Sequence, residues 1–105
     1  MRSKYNAQKT IYNGVKFDSK KEANYCAKLD MLKKATGNDK VISYELQPRY
    51  DIIVNEKKIG FYKADFKVLY RNRVEVIDVK GFKTDVYKIK KKLVEAIYGI
   101  KIIEV

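Results

Sequence analysis

Three acidic residues and one lysine are set apart by where they lie in the chain. Asp78 and Lys80 lie two residues apart on a predicted strand, so both side chains leave the same face of it. Asp65 lies on the preceding predicted strand, which a short turn at residues 71–73 joins to the strand of Asp78. Antiparallel pairing about that turn places residue 78 opposite about residue 66, within one position of Asp65. We therefore expect the two carboxylates to lie close together.

The chemistry open to this arrangement is that of a hard metal ion. Two carboxylates at such a distance repel each other, and a divalent cation would relieve the repulsion and take their oxygens as ligands. Lys80 would then lie beside a water molecule on the ion, where it could hold an attacking hydroxide or offset charge on a phosphate. Glu22 is a fourth candidate, because it lies at the rim of the face by which a predicted helix packs on the sheet.

Each candidate also has a simpler interpretation. Triplets of an acid, any residue and lysine occur repeatedly in this chain, and about two or three are expected by chance in so lysine-rich a sequence. Among them, Asp78-Val79-Lys80 ends an apolar strand and precedes a glycine. Glu22 has the capping-box spacing from Ser19, and Asp65 could be a solvated charge between two lysines. The order of the four residues along the chain, rather than any one of them, favours a common site.

The composition narrows the classes of protein to which the chain can belong. Its 105 residues hold 24 lysines and arginines against 13 aspartates and glutamates, a net charge of +11. The lack of histidine excludes a Ser–His–Asp triad, a Cys–His pair and a histidine-ligated zinc site, and the single cysteine excludes an internal disulfide. The charge favours nucleic acid as partner, with an inert basic surface or an acidic protein partner as alternatives. Lysines far outnumber arginines, which favours contact with phosphates over reading of bases.

Hydrophobic periodicity and turn signals predict the order hairpin, helix, several strands, helix, strand. The hairpin turns at Asn13-Gly14, and Ser19 caps a first helix that Gly37 closes. The strands that follow are predicted at 41–46, 50–54, 59–70 and 74–80, with a helix over 84–98 and a last strand over 100–105. We expect an α/β or α+β domain with a mixed sheet of four to five strands, two flanking helices and an N-terminal β-hairpin. One domain spans residues 1–105, of which residues 1–9 form a loose segment.

The second predicted helix carries one apolar stripe and many lysines. The stripe is expected to pack on the sheet and consists of Val86, Ile89, Leu93, Ala96 and Ile97. Five lysines around the helix favour contact with phosphates over an ordinary solvated face, and they are Lys83, Lys88, Lys90, Lys91 and Lys92. Tyr87 and Tyr98 could help position a nucleic acid. Cys26, on the inner stripe of the first helix, is typical of a core residue.

The order of the four candidates along these elements resembles that of the PD-(D/E)XK nuclease superfamily, whose core runs helix, three-stranded meander, helix and strand. A longer string is similar to a family of small phage and prophage proteins of nuclease type. The segments that carry this similarity are 12–23 (YNGVKFDSKKEA), 45–48 (ELQP), 62–66 (YKADF), 78–81 (DVKG) and 84–88 (TDVYK). The chain departs from the family pattern at Ala64, where a proline is expected, and at Asp78, where glutamate is commoner.

The resemblance implies a role for each candidate. The metal ligands that it implies are Asp65, Asp78, the backbone carbonyl of Val79 and, directly or through water, Glu22. The ion is expected to be Mg²⁺, for which Mn²⁺ would substitute, and Lys80 would orient or activate the attacking water. In some relatives a glutamine near the position of Gln47 approaches the site, although a polar residue at a strand end explains Gln47 equally well.

The resemblance thus predicts a Mg²⁺-dependent DNA endonuclease with a restriction-endonuclease-like core. Related small phage enzymes include Holliday-junction resolvases, so double-stranded or branched DNA is the expected substrate. A homodimer and a role in phage DNA recombination, repair or processing follow by analogy. No apolar run could span a bilayer, and a cytoplasmic location is expected, in the host if the protein is phage-encoded. The alternatives are a non-catalytic nucleic-acid-binding module and a protein-interaction regulator on a retired nuclease fold.

Overall fold

A computed structural model describes residues 8–105, which form two α-helices, a short 3-10 helix and eight strands. The strands are β1 Thr10–Tyr12, β2 Val15–Phe17, β3 Val41–Leu46, β4 Arg49–Val54, β5 Lys57–Lys63, β6 Phe66–Tyr70, β7 Val74–Asp78 and β8 Ile102–Glu104. The helices are α1 Lys20–Leu32 and α2 Asp85–Tyr98, with the 3-10 turn at Gly37–Asp39. The predicted α+β class is confirmed. Residues 1–7 of the predicted loose segment lie outside the described residues.

The central sheet has the strand order β3-β6-β7-β8. β6 pairs in antiparallel fashion with β3 on one side and β7 on the other, and β8 lies parallel to β7. Parallel neighbours need a crossover connection, and α2 supplies it between β7 and β8. The mixed sheet that the sequence predicted is therefore confirmed.

Strands β3 to β6 form one long hairpin with a bend near its middle. β3 pairs with β6 and β4 with β5, and the register is unchanged across the bend, although it shifts at Val41/Ser43 and at Ile52/Ile53. The bend lies at Gln47-Pro48 on one side and Ala64-Asp65 on the other, where backbone hydrogen bonds of 3.0 and 3.1 Å still join the two sides. Gln47 has a φ of 51°, in the left-handed region, and proline lacks an N–H, so the strand cannot run straight. The predicted single strand over 59–70 is therefore wrong, since the bend divides it next to Asp65.

α1 packs on one face of the central sheet. Ser19 caps it as predicted, because its hydroxyl accepts the N–H of Glu22 at 3.1 Å. The residues that α1 buries are Ala23, Cys26 and Leu29. The helix ends at Leu32 rather than at the predicted position next to Gly37. The reason is that the N–H groups of residues 33–35 donate to carbonyls three positions back, which tightens the chain into a turn before Gly37.

α2 packs on the opposite face of the sheet and on the inner face of the β4–β5 hairpin. Thr84 caps its first turn, and Gly99 ends it in the left-handed conformation with a φ of 64°, both as predicted. Across residues 8–105, no helix is long and apolar enough to cross a membrane.

The buried face of α2 differs from the predicted one. Val86 and Ile89 of the predicted stripe are 62% and 60% exposed, whereas Tyr87 and Val94 are buried. The ring of Tyr87 offers a large apolar surface, and its hydroxyl donates to Glu104 at 2.7 Å, so neither part of the side chain is left unsatisfied. The helix is therefore rotated to bury this side, and the predicted apolar stripe lies largely toward solvent.

A shared carboxylate holds the N-terminal hairpin to α1 and β3. The hairpin turns at Asn13-Gly14, where both residues have positive φ, as the sequence predicted. The carboxylate of Asp30 on α1 accepts the Tyr12 hydroxyl of β1 at 2.6 Å and the Tyr44 hydroxyl of β3 at 2.7 Å. This clamp holds the hairpin and β3 to the C-terminal part of α1, whereas Glu22 lies in the first turn of the same helix.

Candidate functional site

The strand register brings Asp65 and Asp78 together beside the bend. The last residue pair between β6 and β7 is Phe66 opposite Ile77, and Asp65 and Asp78 are the next residues beyond it at the same end of the two strands. The N–H of Asp65 donates to the carbonyl of Ile77 at 3.0 Å, which continues the ladder to this point. The predicted register placed residue 78 opposite about residue 66, one position away from the observed pairing. The observed pairing brings the carboxyl groups of the two aspartates within hydrogen-bonding reach of each other.

Asp78 is a fully buried carboxylate with an incomplete set of partners. Its exposed fraction is 0%, and the Tyr62 hydroxyl donates to its Oδ2. Its Oδ1 lies 3.3 Å from Nζ of Lys80, an ion-pair contact, but accepts no hydrogen bond. Within residues 8–105, it is the one buried side-chain oxygen or nitrogen without a hydrogen bond. Because a buried polar atom without a partner is costly, this oxygen is a favourable place for a cation.

Asp65 lies between the carboxyl groups of Asp78 on β7 and Glu22 on α1. Its Oδ2 accepts the backbone N–H of Val79 at 2.7 Å. Its carboxyl group also lies within hydrogen-bonding reach of both Asp78 and Glu22. The structure thus brings Glu22 and the two aspartates to one end of the sheet, with Lys80 beside them.

Burial raises the pKa of all three carboxyl groups. It raises the pKa of Asp78 to about 7, and the neighbouring Asp65 adds to the effect, while hydrogen bonding from Tyr62 and the charge of Lys80 act in the other direction. The cluster therefore retains protons at a pH where isolated carboxyl groups have lost them. A divalent cation would compete with these protons for the same oxygens.

The donor set fits a hard divalent cation in its chemistry. Mg²⁺ binds one or two carboxylates and keeps several waters, and the cluster offers carboxylate oxygens, one of which, Oδ1 of Asp78, accepts no hydrogen bond. In the described part of the chain, acidic and cysteine side chains form no ready-made group of three or more metal ligands. A bound ion would therefore have to draw the carboxylates of Asp65 and Asp78 toward a common point, with the carbonyl of Val79 and Glu22 as the further predicted donors.

Glu22 also belongs to the cap of α1. The backbone N–H of Asp18 donates to its Oε2 at 3.2 Å, while its own N–H is bound by the hydroxyl of Ser19. Both interpretations of Glu22 thus have a structural basis, since one oxygen can serve the cap while the carboxyl group faces Asp65. Ser19 acts as the N-cap and is not in contact with the aspartates in any hydrogen bond of the described residues.

Two concave regions flank the cluster. A cavity of about 160 Å³ lies between β2 and the bend, and Glu22, Gln47 and Asp65 are among its lining residues. Gln47 thus lines the same cavity as Glu22 and Asp65, and it also directly follows β3, so both interpretations of this residue have a structural basis. A larger cleft of about 550 Å³ lies between the beginnings of α1 and α2 and is lined in part by Lys20 and Lys80. Both helix N-termini favour negative charge in this cleft.

The five lysines predicted to contact DNA differ in their surroundings. Lys83 and Lys91 form ion pairs with Glu104, at 3.0 and 3.7 Å. Nζ of Lys90 lies 5.6 Å from the ring centroid of Phe61 on β5. The remaining two, Lys88 and Lys92, are exposed. Glu104 of β8 thus neutralises part of the positive charge around α2, and Lys90 lies against the β4–β5 hairpin.

Tyr62 and Glu104 have roles that the sequence patterns did not predict. Tyr62 is the hydrogen-bond donor to Asp78, and nothing in the sequence separates it from the other eight tyrosines. Glu104 accepts the Tyr87 hydroxyl, which fixes this tyrosine against β8, and Tyr87 also lines the larger cleft. The Tyr98 hydroxyl, likewise, donates to a backbone carbonyl of β4 at 2.9 Å.

The chain matches a protein family over nearly its whole length. The model of the family described as "Protein of unknown function (DUF1064)" matches residues 2–102. No curated protein and no solved structure matches the chain. The matched range includes all four residues of the cluster, from Glu22 to Lys80.

Proposed function

We propose that this chain, which belongs to the DUF1064 family of proteins of unknown function, is a metal-dependent endonuclease that hydrolyses phosphodiester bonds in DNA. The observation that carries the proposal is the buried Asp78 carboxylate beside Asp65, with one oxygen that accepts no hydrogen bond and has Lys80 at 3.3 Å. A structural ion pair would be expected to satisfy both oxygens. A buried carboxylate with an unsatisfied oxygen and a raised pKa, next to residues that line a cavity, is typical of a functional site.

The carboxylates would hold the metal ion, and Mn²⁺ would replace Mg²⁺. The proposed ligands are Asp65, Asp78, the carbonyl of Val79 and, directly or through water, Glu22. When bound, the ion supplies a Lewis acid and lowers the pKa of a water molecule. Tyr62 and the N–H of Val79 hold one oxygen of each aspartate and so fix how the two carboxylates face the ion.

Lys80 is the residue proposed to act on the water and the phosphate. Its side chain is 27% exposed, its Nζ lies 3.3 Å from Asp78, and the ring of Tyr87 lies 4.5 Å away. These contacts hold the ammonium group at the mouth of the cleft, where it can donate hydrogen bonds to an attacking water and to a phosphate oxygen. The water oxygen forms a bond to phosphorus while the P–O bond to the leaving oxygen breaks; the attacking water releases a proton to the solvent, and the leaving oxygen takes up a proton from the solvent.

The DNA would be held mainly through its phosphates. The net charge of +11 and exposed lysines such as Lys20, Lys88 and Lys92 favour contacts with phosphates. Because phosphate contacts do not distinguish bases, we expect little sequence specificity. A domain of this size covers few base pairs, so a branched substrate such as a four-way junction suits it. Cutting both strands of a duplex would require two copies, and a homodimer is part of the proposal.

A cleavage assay with defined metals tests the proposal. Supercoiled plasmid and a labelled four-way junction would be incubated with the wild-type protein in Mg²⁺, in Mn²⁺ and in EDTA. Cutting is expected with either metal and not with EDTA, and Asp78→Asn should abolish it. The matched control is Asp39→Asn, because Asp39 is an exposed aspartate in the 3-10 turn before β3, at the end of the sheet opposite the cluster. DNA binding without cutting in either metal would instead support the non-catalytic binding module.

A further inference from the structure

The outer face of the β4–β5 hairpin combines an exposed aromatic ring with several cations. Phe61 is 40% exposed on β5. The guanidinium carbon of Arg49 lies 4.1 Å from the centroid of its ring, and Nζ of Lys90 and of Lys63 lie 5.6 and 6.0 Å away. Because side chains alternate along a strand, Phe61 and Lys63 share one face of β5. This group of four residues is called the Phe61 platform below.

The Phe61 platform has a surplus of positive charge. Asp51 pairs with Arg49 at 3.3 Å and with Lys58 at 3.7 Å, so one carboxylate is shared between two cations. No acidic side chain of residues 8–105 forms a salt bridge with Lys63 or Lys90. Protein partners with apolar surfaces gain little from such a concentration of lysine, whereas a polyanion releases counterions on binding it.

The Phe61 platform begins next to the carboxylate cluster. Lys63 lies two residues before Asp65, which limits the distance between their backbones to roughly 7 Å. A strand of DNA that places one phosphate at Asp65 and continues along β5 would pass Lys63 and reach Phe61 within one or two nucleotides. The bend at Ala64-Asp65 turns the hairpin away from the central sheet at this point, which leaves the ring on the protein surface.

We infer that the Phe61 platform binds unpaired nucleotides next to the scissile phosphate, with a base stacked on Phe61 and the backbone held by Arg49, Lys63 and Lys90. An aromatic ring can stack on a base only where the base is free of its partner, whereas cations contact paired and unpaired strands alike. The inference rests on the proposed nuclease function for the position of the cut. It narrows the substrate to DNA with single-stranded character, such as a fork or a branch point.

Binding assays in EDTA separate this inference from the cleavage proposal. Fluorescence anisotropy would compare a labelled single strand, a forked duplex and a fully paired duplex of equal length. Phe61→Leu should weaken binding of the single strand and the fork about tenfold and change duplex binding less than about twofold, since base stacking contributes only to the former. Phe61→Tyr, which keeps the ring, should restore wild-type affinity. Leu69→Ala is the matched control, because Leu69 is 41% exposed on β6, away from the platform.

Two outcomes of the Phe61→Leu experiment would overturn the inference. An equal loss on all three DNAs would reduce the Phe61 platform to a general phosphate contact, and unchanged binding by Phe61→Leu would exclude it as a nucleic-acid surface. A second experiment tests the cations. Log affinity for the single strand falls as log salt concentration rises, and in the double variant Arg49→Gln, Lys63→Gln this negative slope should become shallower by roughly 1.4, as expected for the loss of two phosphate contacts. A protein that binds forks through Phe61 but never cuts them would support the inference and refute the nuclease proposal.

Discussion

Replacing Asp78 with asparagine should stabilise the metal-free protein. The Asp78 carboxylate is fully buried, its Oδ1 accepts no hydrogen bond, and the carboxyl group of Asp65 lies within hydrogen-bonding reach. An asparagine keeps the shape of the side chain and can still accept the Tyr62 hydroxyl. Its amide can also donate to the carboxylate of Asp65. The substitution therefore removes a buried charge while it keeps the existing hydrogen bond.

The size of this effect follows from the pKa of Asp78. Burial raises that pKa from 3.8 to about 7, a difference that corresponds to roughly 4 kcal/mol of destabilisation once the group is ionised. Because the folded state binds the proton more tightly than the unfolded state, stability is lost as the pH rises from about 4 toward 7. Asp78→Asn has no such dependence, so its advantage over wild type should grow by roughly 2 to 3 kcal/mol between pH 5 and pH 8.

Urea unfolding in EDTA at pH 5 and pH 8 measures the effect. Asp51→Asn serves as control, because Asp51 is 43% exposed on its side chain and its ion pairs contribute at most about 1 kcal/mol at either pH. Mg²⁺ should then stabilise the wild type and leave Asp78→Asn unchanged. If Asp78→Asn were less stable than wild type at both pH values, Asp78 would be a structural partner of Tyr62 and Lys80, and this reasoning would be refuted.

Three further outcomes test the packing of α2, the hairpin clamp and the helix cap. Val94→Ala should lower the free energy of unfolding by about 2 kcal/mol because Val94 is fully buried, whereas Ile89→Ala should change it by less than about 0.5 kcal/mol; equal effects would contradict the observed face of α2. Tyr12→Phe removes the hydrogen bond that lowers the pKa of Asp30, a stabilisation present above about pH 4 and lost as the pH falls through the lowered pKa, so the two unfolding curves should converge at acid pH and a constant gap would speak against the clamp. Glu22→Gln keeps an acceptor for the cap, so stability should stay within about 0.5 kcal/mol while cleavage needs more Mg²⁺; unchanged cleavage would leave Glu22 with the cap alone.

Local signals in the sequence were sufficient for most element boundaries. Asn13-Gly14 turns the first hairpin, Ser19 and Thr84 cap the helices, and Gly99 ends α2, each in the conformation that its residue type favours. These features depend on a few neighbouring residues, so no knowledge of the tertiary structure was needed. The end of α1 at Leu32 is an exception, because the helical pattern continues beyond the point where the turn begins.

The features that the sequence failed to predict depend on contacts between distant residues. The bend that divides β5 from β6 is set by Gln47-Pro48 on the opposite strand, about twenty positions away in the chain. The buried face of α2 depends on Glu104, which satisfies the hydroxyl of Tyr87 and allows an amphipathic ring to replace Val86 and Ile89 in the core. The hydrophobic pattern of a single helix or strand does not show which residues of other elements will contact it.

In the candidate site, too, some features follow from local sequence signals and others from contacts between distant residues. The proximity of Asp65 to Asp78 followed from the short turn between their strands, and the pairing of Asp78 with Lys80 from strand alternation. The role of Tyr62 could not be predicted, since its hydroxyl reaches Asp78 from β5, a strand that does not pair with β7. The unsatisfied oxygen of Asp78, on which the proposed function depends, is likewise a property of the folded structure alone.

The most direct test of the nuclease proposal is the single-turnover cleavage rate of Lys80→Ala in Mg²⁺, measured at saturating DNA. Lys34→Ala is the matched control, because it removes the same charge at an exposed position after α1, away from the carboxylates. The proposal predicts that both variants bind DNA as the wild type does, that Lys34→Ala cuts at the wild-type rate, and that Lys80→Ala cuts roughly 100-fold more slowly. Wild-type cutting by Lys80→Ala, or the absence of Mg²⁺-dependent cutting by the wild type, would contradict it.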